Sequence, residues 1–291
     1  MRVLLLGASG QLGALVAARA PSHVKLSAYG SPVCDISDAA NVRNVIHKTG
    51  PDLIINCAAY TQVDKAESEP DIAYAVNREG VANLVHCSPE ATRILHVSTD
   101  FVFDGKATEP YKPDAPTAPL GVYGASKLAG EQVLTEQAAR RSCIVRTAWL
   151  YAAEGGNFMN TMLRLMRTRD SLSVVNDQVG TPTAAHRLSE VLWRFAERPD
   201  LTGIWHWTDG GQATWYDFAV EIQRQALALG LLKQAIPIQP IPTSDYPTPA
   251  RRPAYSVLDK TLTLQALELA NVPWQQALSE VLEQLSALPA T

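Results

Sequence analysis

The chain has few cysteines, no long apolar run and no concentration of positive charge, and each shortage narrows what it can be. Its four cysteines, Cys34, Cys57, Cys87 and Cys143, stand far apart without paired spacing. That argues against a zinc site and against a secreted disulfide framework. Cys57 and Cys143 lie in the apolar runs "LIINCAA" and "CIVRTAW" and read as small core residues. The six histidines show no metal spacing, and His96, within "RILHVST", reads as a packed strand residue. No metal ligand set is therefore expected. A run of about 18 apolar residues is missing, so no membrane span is expected. The 25 Lys and Arg are scattered among 29 Asp and Glu, for a net charge of −4. Without a basic stripe, nucleic acid is not an expected partner. Met1 leads at once into an apolar strand pattern with no basic leader, and a soluble cytoplasmic protein is the expectation.

What is present is enough apolar material for a large core: 46% of 291 residues. In the first half, short β-rich runs ("RVLLLGA", "VKLSAY", "PDLIINCAA", "TRILHVST", "CIVRTAWLY") alternate with helical stretches. Continuous apolar strands in such alternation predict an α/β fold with a doubly wound parallel sheet covered on both faces. Residues 1–150 are expected to form this domain, with a strand and helix near 170–196 joining it. Residues 151–291 are expected to be mainly a smaller, irregular substrate-binding region over the carboxyl ends of the strands, where a doubly wound sheet places its ligand. The proline-rich loop "DGKATEPYKPDAPTAPLG" is long enough to be functional or disordered.

Between the first strand and its helix stands "GASGQLG". Gly7 suits a tight turn, Gly10 the close approach of a pyrophosphate, and Gly13 the packing of helix on sheet. The helix amino end then offers N–H groups and a favourable dipole to the phosphates. This predicts a Rossmann-like dinucleotide site. The acid that would bind an adenine ribose 2′-OH is missing, since Tyr29, Gly30 and Ser31 follow the second strand, and no arginine replaces it for a 2′-phosphate. NADH and NADPH both stay open. Asp35, with Ile36, either flanks the adenine or caps a helix.

Further strand ends carry "NCAAYTQVD", "VSTDFVFDG" and "VRTAWLY", and the next helix opens with "GVYGASKLAGE". Tyr123 and Lys127 are one turn apart on one helix face. With Thr99 they can form a polar cluster beside a nicotinamide, in which the lysine favours the phenolate and Tyr123 protonates a carbonyl oxygen.

These motifs, together with "VDKAESEP", "NDQVGTPT" and "PTPARRP", resemble the extended short-chain dehydrogenase/reductase superfamily and, within it, the dTDP-4-dehydrorhamnose reductases. The resemblance runs nearly end to end. It implies reduction of the C4 ketone of a dTDP-4-keto-6-deoxy sugar by NADPH or NADH. It places Tyr123 as proton donor, Lys127 as its partner, and Thr99, Asp100 and Trp149 at the substrate. Gly10, Gln11, Leu12, Asp35, Ile36, Ala59, Tyr60 and Thr61 fall where the family contacts cofactor. Asn157, Gln178 and Arg251 are further substrate candidates, Arg251 and Arg252 standing either at a diphosphate or in solvent; Trp215 reads as packing. Leu15 stands where some members have a magnesium-binding glutamate, which puts a metal-bridged dimer in doubt and leaves a plain homodimer open. Phe101 replaces the glutamate base of related dehydratases, and a phenyl ring cannot act as a base. A non-catalytic dinucleotide-binding regulatory subunit and another nucleotide-sugar reductase or epimerase are the alternatives.

Overall fold

The computed structural model describes residues 1–287. The chain opens as β1 (Arg2–Leu6), α1 (Gln11–Ala18), β2 (Lys25–Tyr29), α2 (Ala39–Thr49) and β3 (Leu53–Asn56). Two short helices, α3 (Val63–Ala66) and α4 (Pro70–Tyr74), lead through a π-helical turn into α5 (Gly80–Cys87). Then come β4 (Arg93–Thr99), α6 (Val122–Gln137), β5 (Ser142–Thr147), β6 (Leu150–Tyr151) and α7 (Phe158–Met166). The rest comprises β7 (Leu172–Val175), β8 (Val179–Gly180), β9 (Thr183–Ala184), α8 (Ala185–Ala196) and β10 (Gly203–His206). It closes with β11 (Ala213–Thr214), α9 (Trp215–Ala228), β12 (Ile238–Ile241), α10 (Thr261–Ala266) and α11 (Trp274–Ala287).

The central sheet is six-stranded and parallel, in the order β2-β1-β3-β4-β5-β10. Its inner strands β1 and β3 are apolar and buried at successive positions because both faces are covered. Val3 and Leu5 pack with Leu188, Leu192 and Phe195 of α8, while Leu4 and Leu6 pack with Val42, Ile46 and Leu84 of α2 and α5. The order reverses between β1 and β3, so the ligand crevice of such a sheet opens above that pair.

The placement of residues 170–206 departs from the sequence reading. β7 pairs with β12 in a separate two-stranded sheet, while β10, within the aromatic stretch "GIWHWTD", becomes the sixth strand of the main sheet. Helix α8 does pack on that sheet. A second core, around Met159, Phe218, Ile222, Trp274 and Leu278, holds α7, α9 and α11 together. The proline-rich loop is packed: Tyr111 stacks on Phe103 at 4.1 Å, and Tyr111 bridges to Leu258. Among the described residues no helix is long and apolar enough to cross a membrane.

Candidate active site at the carboxyl ends of the strands

The glycine loop joins β1 to α1 with backbone packed on backbone. Gly7 has φ +76°, and a β-carbon there would lie 2.6 Å from the Ala58 amide nitrogen. A β-carbon on Gly13 would meet the Gly7 carbonyl oxygen at 2.1 Å. Gly10 caps α1 without a side-chain bond, so the first-turn amides have no partner within the helix. That end of α1 fits a pyrophosphate.

A crevice of about 450 Å³ lies beside it. Gly10, Gln11, Leu12 and Gly13 line one side, and Ala59 and Thr61 come from the segment after β3. Thr99 and Asp100 reach it from the end of β4, Tyr123 and Lys127 from α6, and Trp149 from the segment after β5. Four strand ends and two helix starts thus converge on one space. Phe101 presses edge-on against the Tyr123 ring, with centroids 5.5 Å apart, and holds it in place.

Other expected residues stand outside this crevice. Gly7 packs against the Cys57–Ala58 backbone. Ile36 is buried in the sheet core against Gly80. Asp35 accepts from the Ser37 amide at 2.9 Å and hydroxyl at 2.7 Å, and it is Asp38 that caps α2. Tyr60 donates its hydroxyl proton to Glu69 at 2.8 Å, and its main chain is clamped by Asn77. Asn157 caps α7 and donates to Gln11 Oε1 at 2.9 Å, tying the second region to the glycine loop. Gln178 accepts from Trp215 Nε1 at 3.2 Å and donates to Thr243 Oγ1 at 3.0 Å. Arg251 is exposed, whereas Arg252 pairs with Asp64 at 2.8 Å.

Trp149 has φ +45°, a conformation that costs a non-glycine residue about 1–3 kcal/mol. Its indole stacks on Trp215 at 3.5 Å with 5° between planes. This pair separates the crevice from an apolar pocket of about 380 Å³, lined by Phe158, Met162, Val174, Gln178, Trp215 and Arg252 among others.

Electrostatics at the centre differ from expectation. Burial pushes the Tyr123 phenol up to about 12, against the opposing effect of the Thr99 hydroxyl. Lys127 does not bring it down, because Nζ is turned toward the Val97 carbonyl oxygen at 2.7 Å and His96 Nε2 at 3.2 Å. Burial also pushes Lys127 down to about 8, although Glu131 and Cys57 oppose this. Asp100 is raised to about 6, again by burial first, with Ser256 and Thr99 pulling the other way. The site therefore presents a protonated phenol at neutral pH. Reading the runs one by one missed His96 and Asn56 as its neighbours; a polar pair inside two apolar strand runs was the available signal.

The profile of the RmlD substrate binding domain family matches residues 1–287. A dTDP-4-dehydrorhamnose reductase of Shigella flexneri is 39% identical over 98% of each chain. The crystal structure of a dTDP-4-dehydrorhamnose reductase from Clostridium acetobutylicum superposes with a TM-score of 0.91 at 37% identity, covering 98% of this chain and 99% of that one. One from Bacillus anthracis, in complex with NADP, gives 0.90 at 34% identity, covering 97% and 99%. With its crevice at the switch point and this end-to-end likeness, the chain belongs to the dTDP-4-dehydrorhamnose reductase family, NAD(P)H-dependent oxidoreductases of the doubly wound α/β class.

Proposed function

We propose that this chain reduces the C4 ketone of dTDP-4-dehydro-L-rhamnose to dTDP-L-rhamnose, with Tyr123 as proton donor. The observation that carries the reading is the meeting of Tyr123, Lys127, Thr99 and the amino end of α1 around one crevice. The α1 amides receive the pyrophosphate, Lys127 the nicotinamide ribose, and Ala59 and Thr61 the nicotinamide side of the dinucleotide. Asp35 and Ile36 are assigned to the adenine end. When bound, the reduced nicotinamide supplies the hydride.

The chain's part is to hold the carbonyl and deliver the proton. As the C=O electron pair moves onto oxygen, Tyr123 Oη transfers its proton there, which completes the C4 hydroxyl. A phenol raised to about 12 is fully protonated at neutral pH, and an alkoxide is a far stronger base than a phenolate, so the transfer runs downhill. Thr99 and Asp100 orient the sugar oxygens, and Trp149, stacked on Trp215, lines the crevice beside them. The apolar pocket beyond the tryptophan pair suits the nucleobase, and the exposed Arg251 is assigned to the diphosphate, with Arg252, which pairs with Asp64, beside it.

The direct experiment follows cofactor oxidation with dTDP-4-dehydro-L-rhamnose. Oxidation is expected only with the keto-sugar present. A folded, cofactor-binding protein that leaves the sugar unreduced would instead be a dinucleotide-binding regulatory subunit. Because β2 ends at Tyr29 and is followed by Gly30 and Ser31, with neither acid nor arginine, NADH and NADPH are expected to serve within roughly tenfold of each other, about 1.4 kcal/mol. A thousandfold preference in kcat/KM would contradict this.

The bridging magnesium of some relatives does not fit this chain. Leu15, standing where some members have a glutamate, offers no ligand. Chelator treatment is expected to leave activity and sedimentation unchanged. Dissociation together with loss of activity would sink the idea.

A further inference from the structure

The acids of "VDKAESEP", which spans α3 and the turn after it, take no part in the chemistry above, yet each reaches a different element around the crevice. Asp64 accepts from Arg252 Nη1 at 2.9 Å and Nη2 at 2.8 Å, and from the Ala250 N–H at 3.1 Å. Arg252 in turn lines the apolar pocket beyond the tryptophan pair. Glu69 accepts from the Tyr60 hydroxyl at 2.8 Å and pairs with Lys65 at 2.9 Å. Tyr60 stands between Ala59 and Thr61, which line the crevice. Glu67 Oε1 accepts the Val122 backbone N–H at 2.8 Å, one residue before Tyr123.

Helix α6 has no cap of its own. Its N-cap position is Gly121, which has no side chain to offer, and its first turn carries no acid. The first amides of a helix lack partners within it, and a carboxylate there accepts one of them and meets the positive end of the dipole. Glu67 supplies that carboxylate from 55 residues away. Gly121 leaves the room for it, since a β-carbon there would stand 2.5 Å from Glu67 Oε1. On the other side of Tyr123, a β-carbon on Gly124 would collide with the Phe101 carbonyl oxygen. The two glycines thus seat the first turn between Glu67 and the end of β4. Further along, Val133 and Leu134 anchor α6 in the sheet core. Slack at the cap therefore falls on the first turn, and there it displaces the Tyr123 hydroxyl.

We propose that Glu67 is a positioning residue for Tyr123, whose carboxylate caps α6 from outside the helix and fixes the phenol where the keto oxygen is held. Asp64 and Glu69, on either side of it in sequence, tie this cap to the substrate and cofactor sides of the crevice. The proposal deepens the reading in which Tyr123 is the proton donor, and rests on it. Glu67 acts here through reach. A glutamine still presents an oxygen to the Val122 N–H, whereas an aspartate keeps the charge and is one methylene too short.

Amide hydrogen exchange of the full chain without substrate tests the cap. In the unmodified protein the Val122 amide is expected to be protected; exchange at the rate of an unstructured peptide would overturn the proposal. Protection should fall about fivefold or more in Glu67→Ala and Glu67→Asp, and return in Glu67→Gln.

Steady-state kinetics test the positioning. Glu67→Ala and Glu67→Asp are expected to lower kcat about tenfold or more, because a displacement of about 1 Å at a reacting group costs up to about a hundredfold. The dinucleotide Kd should stay at the parent value, and Glu67→Gln should recover most of the rate. In the Tyr123→Phe background the same substitutions should change kcat less than about twofold, since the group they misplace is gone. A loss of equal size in both backgrounds, parent kcat in Glu67→Asp, or no recovery in Glu67→Gln would each overturn the proposal. Should Glu67→Ala not fold, the aspartate and glutamine variants and the unmodified amide decide. A failure of the Tyr123 reading shows itself differently, as a Tyr123→Phe enzyme near the parent rate with Val122 still protected.

Discussion

Tyr123→Phe is expected to lower turnover about a hundredfold to ten-thousandfold, the usual range for loss of a general acid, with little effect on folding or dinucleotide affinity. The substitution removes one oxygen and keeps the ring that meets Phe101 edge-on. Because the phenol stands as a protonated donor, its neighbours do not replace it: Asp100 is already largely ionised above about pH 6, the Thr99 hydroxyl is a far weaker acid, and Lys127 Nζ is turned to the Val97 carbonyl oxygen and His96. Lys127→Met should also slow turnover, and it should weaken dinucleotide binding as well, since Lys127 is proposed to hold the ribose. The two losses should be far from additive because both act on one proton transfer. Steady-state kinetics of the two single variants and the double variant, with cofactor binding measured separately, check this. A Tyr123→Phe enzyme close to the parent rate would remove the phenol from the mechanism.

Glu131→Ala should destabilise the fold by about 3–5 kcal/mol, the range for leaving one partner of a buried ion pair unpaired. Glu131 and Arg146 are each 2% exposed and make three hydrogen bonds, one of them 2.6 Å long. Arg146 also donates to the Pro113 carbonyl oxygen at 3.2 Å and lies over the Phe103 ring. The pair therefore ties α6, β5 and the proline-rich loop together. Replacing both partners, Glu131→Leu with Arg146→Met, should be much milder than Glu131→Ala, because no unpaired charge is left behind. Urea unfolding measures both. A loss below about 1 kcal/mol for Glu131→Ala would mean that water reaches the guanidinium and the pair behaves as a surface one.

How much of this was legible in the sequence depends on how local the cause is. "GASGQLG" could be read because its constraint is local: a β-carbon at Gly7 or Gly13 collides within the loop and the strand beside it. "GVYGASKLAGE" could be placed because a four-residue spacing means one helix face anywhere. "LSVV" could not be assigned to a sheet, since an apolar run reads the same whichever strand it pairs with, and β12 lies more than 60 residues further on. The same limit hid β10. His96 looked like a packed strand residue, and it is one; its hydrogen bonds to Asn56 and Lys127 come from 40 residues before and 31 after. Arg251 and Arg252 show the limit at its finest. In an extended segment neighbouring side chains point apart, and only contact with Asp64 shows that Arg252 faces inward.

The expected lowering of Tyr123 by Lys127 failed for a physical reason as well. Spacing along a helix brings two side chains to one face but does not set where a long flexible one ends. Lys127 reaches past the phenol's helix turn to the Val97 carbonyl, and burial then decides the phenol's state.

The most direct test of the account follows a label. NADPH carrying deuterium at the transferred position is mixed with dTDP-4-dehydro-L-rhamnose and the enzyme, and the sugar is examined by NMR. The account predicts deuterium at C4 of dTDP-L-rhamnose and nowhere else on the sugar, formed at a rate that collapses in Tyr123→Phe. Oxidised cofactor without deuterium at C4, or labelled product formed equally fast by both proteins, would contradict it.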